Sequence, residues 1–101
     1  MKKNKNKITN KVLLKIWADR VKQDANYKCE HCGSTKHLNS HHLISASRLA
    51  TRYINVNGIC LCSKCHRLDS LFSAHKGSLA FYKWFNKKYP GRIEYLLSFY
   101  E

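Results

Sequence analysis

Nineteen Lys and Arg against six Asp and Glu give this chain of 101 residues a formal charge of +13. That length holds one domain, near the lower limit for a self-sufficient hydrophobic core, and the single-sign excess is stronger than solubility requires, so the expected partner is a polyanion, nucleic acid first. No stretch is long or apolar enough to span a bilayer, and Met1 to Lys11 does not resemble a secretory signal, so no membrane partner and a cytoplasmic location are expected.

The chain reads as one domain, 1–101. Residues 1–8 form a basic, low-complexity tail expected to be flexible. Thr9 or Asn10 can cap a helix over 9–26, in which Val12, Leu13, Ile16, Trp17 and Val21 make an apolar stripe facing the core. A core region follows over 27–75. Tyr27 and Lys28 lead into Cys29-Glu30-His31-Cys32, a tight turn ending near Gly33. Leu38 to Ile44 reads as a strand carrying the pair His41-His42, and a loop with Arg48, Arg52 and Tyr53 leads to Asn57. Gly58 to Leu61 reads as a second strand, with Cys60 packed inside as a small hydrophobe. Ser63 is expected to start a helix carrying Cys65, His66, Leu68, Leu71 and Phe72. The C-terminal region, 78–101, holds two helices. Ser78 caps the first, rich in aromatics from Phe81 to Phe85; Pro90-Gly91 breaks it, and Ile93, Leu96, Leu97 and Tyr100 repeat at helical spacing in the second. The fold class is α+β: a small core of two strands and a helix, flanked by an N-terminal helix and two C-terminal helices.

Chains this small often add a staple, and the five cysteines are the candidates. Cys29 and Cys32, then Cys62 and Cys65, form two Cys-x-x-Cys pairs. In a reducing compartment that pattern favours a structural Zn²⁺ over disulfides, since a two-residue gap lets both sulfurs of a pair reach one ion and two pairs complete a tetrahedral shell. A closed shell of four thiolates holds the fold and does no chemistry. The interval between the pairs is long enough to hold a second function.

The order of that interval is specific: Cys-x-x-Cys, then His41-His42-Leu43-Ile44, then Asn57 five residues before Cys62, then Cys-x-x-Cys with His66 directly after it. From about Tyr27 to Phe72 the chain resembles the HNH endonucleases, which share a ββα-metal core, and short basic chains of this kind are common among phage and mobile-element members. The resemblance implies a phosphodiester-cleaving enzyme acting on DNA, double-stranded or branched, in the cytoplasm of a host cell if phage-encoded. It implies that His42 is the general base, that His41 and His66 bind one catalytic divalent ion, and that Asn57 orients His42 through the loop that carries it. Products would carry a 5′-phosphate and a 3′-hydroxyl, and one site per chain implies nicking by a monomer or weak dimer. Many relatives have Asp where His41 stands. An all-nitrogen set suits Zn²⁺, Ni²⁺ or Mn²⁺ better than Mg²⁺, which prefers oxygen.

Among the remaining residues, Arg48 and Arg52 are candidate phosphate contacts or ordinary basic loop residues. His31 is expected to face solvent between the zinc cysteines, His37 and His75 to lie on the surface, and Tyr53 to pack. The alternatives to a DNA nuclease are a non-catalytic, zinc-stabilised basic DNA-binding module and a nuclease of the same core directed at RNA. Neighbours on a regular strand point to opposite faces, so His41 and His42 can serve one phosphate only where the strand ends or distorts.

Overall fold

Thr9 opens the first helix: its hydroxyl accepts a 3.3 Å hydrogen bond from the amide of Val12. The computed structural model describes residues 8–101; the rest of the expected basic tail lies outside the described residues. Helix α1 spans Asn10–Asp24, and the chain leaves it through two residues in the left-handed region, Asn26 (φ 54°) and Tyr27 (φ 56°). Two antiparallel strands follow, β1 (Leu38–His42) and β2 (Gly58–Cys62), paired so that His42 faces Gly58 and Leu38 faces Cys62. Helices α2 (Ser78–Lys88) and α3 (Arg92–Leu97) close the chain. The architecture is a small α+β fold around one hairpin.

Every residue of β2 is buried, because helices cover both of its faces. The period of two sends Ile59 and Leu61 into a core with Phe81 and Phe85 of α2, and sends Cys60 the other way, against Trp17 and Val21 of α1. Gly58 makes the second contact possible. A Cβ there would lie 2.3 Å from Val21 Cγ2 and 2.7 Å from Trp17 Cζ2, closer than atoms can approach.

Several expectations about the elements change. The apolar stripe of α1 is buried only at Trp17 and Val21, while Val12 and Ile16 are exposed. The first turn of α1 meets a polar loop instead of the core: Asn10 Oδ1 accepts from both Arg52 and Tyr53. Strand β1 stops at His42 instead of Ile44, because the side chain of Asn57 takes over both main-chain groups of Ile44. The helix expected after Ser63 is one wide π turn, Lys64–Leu68. Asp69 ends it by accepting from the amides of Leu71 (2.9 Å) and Phe72 (3.2 Å), a side-chain competition that Asp commonly wins against helix continuation. Finally, the last helix gives way after Leu97 to a 3-10 turn, Ser98–Tyr100, so Tyr100 does not extend the α-helical stripe.

Candidate metal centres

At the end of the hairpin where β1 begins and β2 ends, Cys29, Cys32, Cys62 and Cys65 bring their sulfurs within 4.8 Å of one another. The sulfurs of Cys32 and Cys62 are 3.5 Å apart. Sulfurs around a tetrahedral Zn²⁺ with bonds of ~2.3 Å lie about 3.8 Å apart, so the cluster can hold one zinc ion with small adjustment. The first pair sits on a tight turn. Gly33 (φ 80°) closes it, its amide donating to Cys29 O at 2.9 Å, and the Cys32 amide points at the Cys29 sulfur. Glu30, inside that turn, holds it to the sheet: its carboxylate accepts from the Cys60 amide at 2.7 Å and from the Tyr89 hydroxyl at 2.5 Å. Burial pushes the Cys65 thiol up, whereas at Cys29 the amides of Cys32, Cys62 and His31 outweigh burial and bring the thiol down to about 7. Four sulfurs this close need a cation before all can be thiolates.

His31 does more than face solvent. Though exposed, its ring stacks on Phe72 (centroids 3.9 Å apart, 19°), meets Trp84 edge-on at 4.9 Å, and sets Nδ1 3.3 Å from the Cys65 sulfur. It therefore ties the second cysteine pair to α2.

The other end of the hairpin carries a different cluster. His66 Nε2 lies 3.2 Å from His41 Nδ1 and 3.0 Å from His75 Nε2. Nitrogens bound to one ion by bonds of ~2.0–2.1 Å are about 2.8–3.4 Å apart, from octahedral to tetrahedral; both separations from His66 fall in that range, and all three rings offer nitrogens within 4.8 Å of one another. His66 is buried, and its Nδ1 has no hydrogen-bond partner among the described residues, so its ring engages nothing polar there except the other two imidazoles. Burial, then its histidine neighbours, hold His41 down to about 3; burial, His75 and Arg67 hold His66 down to about 4. Both stay neutral near pH 7, as ligands must.

His75 is exposed, as expected of a surface residue, yet it is the third member of this cluster. The chain brings it there by folding back on the π turn, with the Ala74 amide on Cys65 O (2.9 Å) and the His75 amide on His66 O (3.0 Å).

His42 leaves the strand on the face opposite His41, as strand geometry demands. Its ring lies flat on Trp17 of α1 (centroids 3.7 Å apart, 9°), while the ring of His41 turns toward Phe81 of α2. Both nonetheless line one cleft of about 440 Å³, together with His66 and His75. The cleft can reach both faces because β1 ends at His42. His42 Nε2 is 2.9 Å from the carbonyl of Arg52. A carbonyl only accepts, so Nε2 carries the proton and Nδ1 keeps its lone pair. Burial holds this imidazole below its ordinary value, against the opposing pull of the Arg52 carbonyl.

Asn57 is fully buried and spends its amide on the loop around His42. Oδ1 accepts from the Ile44 amide at 2.7 Å, and Nδ2 donates to Ile44 O and Thr51 O, both at 3.0 Å. Both ends of the loop are thereby held, one beside His42 and the other beside Arg52, whose carbonyl holds the His42 ring. Trp17 Nε1 donates to Ile54 O at 3.0 Å and fixes the surface on which that ring rests.

Of the two candidate phosphate contacts, neither Arg48 nor Arg52 is among the residues lining the cleft. Arg48 lies over the ring of Tyr100. Arg52 is tied to the loop, Nε to Ala46 O at 2.6 Å and Nη1 to Asn10 Oδ1 at 3.2 Å. Its place is structural, and its main-chain oxygen is the part that meets His42.

No family model matches the chain, and no significant match is found among curated proteins or solved structures. The described residues form a small α+β fold with two groups of side chains that could hold a metal ion, one sulfur-lined and one imidazole-lined. No helix among the described residues is long and apolar enough to cross a membrane.

Proposed function

We propose that the chain is a metal-dependent endonuclease of the HNH type, hydrolysing phosphodiester bonds in DNA. The observation that carries this reading is the shared cleft: a set of three imidazoles spaced for one divalent ion, beside a fourth whose Nδ1 is free to take a proton. A divalent ion held by His41, His66 and His75 would polarise the scissile phosphate and stabilise the leaving 3′ oxygen. His42 then acts as the general base through Nδ1, with the Arg52 carbonyl holding the tautomer and Trp17 holding the plane of the ring. As water adds to phosphorus its proton passes to His42, the P–O3′ bond breaks, and the 3′ oxygen is protonated from solvent, giving a 5′-phosphate and a 3′-hydroxyl. Asn57 positions the base through the loop and touches no reacting atom. One cleft per chain supports nicking by a monomer, and the charge of +13 supports binding along the phosphate backbone, with affinity falling steeply as salt rises. The sulfur-lined centre has no open position and serves the fold.

The test is to incubate supercoiled plasmid with Mn²⁺, Ni²⁺, Zn²⁺ or Mg²⁺ and the full chain, beside His42→Ala. The wild type should convert plasmid to open circles that ligase can reseal, and the variant should lose about 10²–10⁴ of that rate, the usual contribution of a positioned base. Plasmid retarded but uncut under every metal would instead identify a zinc-stabilised binding module.

A further inference from the structure

We infer that Arg67 holds the scissile phosphate, an assignment that rests on the phosphodiesterase reading above and names the group that recognises its substrate. Arg67 directly follows His66 in the π turn and lines the same cleft as the four histidines. No carboxylate lines that cleft, and Arg67 is its one permanent charge among the described residues. Its guanidinium is exposed and has no hydrogen bond, ion pair or aromatic ring beneath it among the described residues. Other arginines near the hairpin are committed: Arg52 to Ala46 and Asn10, Arg92 to the ring of Tyr89 and the carbonyl of Gly58.

The charge count decides what can sit there. Three neutral imidazoles leave the charge of a divalent ion uncancelled, and Arg67 adds another unit beside it. The occupant best matched to it is therefore anionic, and one whose charge grows during reaction gains most. A phosphodiester meets both conditions, with one negative charge in the ground state and two when water has added to phosphorus. A planar guanidinium can pair two non-bridging oxygens at once, which an ammonium cannot. Because the charge it meets grows in the transition state, Arg67 acts more on kcat than on KM. The surrounding cations carry most of the affinity for the polymer.

The experiment compares wild type, Arg67→Lys and Arg67→Ala, all metal-loaded. It reads single-turnover nicking of supercoiled plasmid and, separately, binding of dimethyl phosphate, a diester that is not cleaved on this timescale, by ³¹P line broadening with Mn²⁺. Arg67→Ala should lose about 10²–10³ in kcat, the usual cost of removing one transition-state donor, with KM for plasmid rising by no more than about tenfold. Its binding of dimethyl phosphate should weaken about tenfold or more, as for a lost charge-assisted hydrogen bond. Arg67→Lys should fall between the two in both readouts. Melting temperature and metal content should stay at wild-type values, since the side chain supports nothing in the fold. Arg67→Ala that nicks and binds dimethyl phosphate like wild type overturns the assignment and leaves the nuclease reading standing. Binding of dimethyl phosphate that depends on Arg67, with no nicking by the wild type, upholds the phosphate contact and overturns the nuclease reading. Neither binding nor nicking by the wild type overturns both.

Discussion

One β-hairpin carries at each end a cluster of side chains that could hold a metal ion, and the two are built on opposite plans. At the Cys62 end four sulfurs close around a point, knit to the sheet by Glu30 and to α2 by His31. At the His42 end three ring nitrogens converge from β1, the π turn and the returning loop, and open onto a cleft of about 440 Å³. A closed thiolate shell spends the whole coordination sphere of its ion on the protein; three imidazoles leave positions for water and substrate. The difference teaches that coordination number, more than the identity of the ion, separates a centre that holds the chain from one that can act on something else.

Breaking the closed end should have the larger effect. Cys29→Ser removes one of four ligands, and structural zinc contributes ~10–16 kcal/mol to folding in small zinc-dependent domains, more than a typical domain's whole net stability of ~5–15 kcal/mol. Circular dichroism should show an unfolded chain at 25 °C with no bound zinc. A cooperative melt at the wild-type temperature would contradict a structural role.

Asn57→Ala lies between the two ends. It leaves the half-buried amide and carbonyl of Ile44 and the buried carbonyl of Thr51 without their partner. Each orphaned buried group costs about 1–3 kcal/mol when water cannot reach it, so a loss of at least ~2 kcal/mol in chemical denaturation is expected, together with lower nicking. Full stability with unchanged nicking would show that the loop does not depend on this amide.

A gentler probe sharpens the comparison from the open end alone. Burial holds His42 below its ordinary pKa and holds His41 and His66 at about 3 and about 4. A base works only when neutral, and protonated imidazole cannot bind metal, so nicking should be lost as pH falls. With all three values depressed, that loss begins below pH ~6.5, the value of a free imidazole. A pH–rate profile with its acid limb centred above 7 would contradict this placement of the base.

The α+β class and the grouping of four cysteines were legible because each follows from local pattern: period and caps for the elements, two-residue gaps for the sulfurs. His41 and His66 could be paired only through a resemblance, since 25 residues separate them and nothing local says that they meet. His75 was not legible. Its place depends on two main-chain hydrogen bonds that fold the chain back after Asp69, and Asp69 itself looked like one more residue of a helix. Arg67 was overlooked for a related reason, because a basic chain offers many arginines and only the cleft distinguishes one. Val12 and Ile16 show the opposite error: an apolar stripe continues past the point where the two-stranded sheet has anything left to cover.

The central claim is that the chain has two unlike places for a metal ion, one of four sulfurs and one of three imidazoles. Native mass spectrometry of wild type and His75→Ala, each equilibrated with excess Zn²⁺ and then desalted, tests it directly. His75 is exposed, so the variant should keep its fold. Two ions per wild-type chain and one per variant chain are expected, the survivor being the sulfur-bound ion. A single ion in both proteins would contradict it.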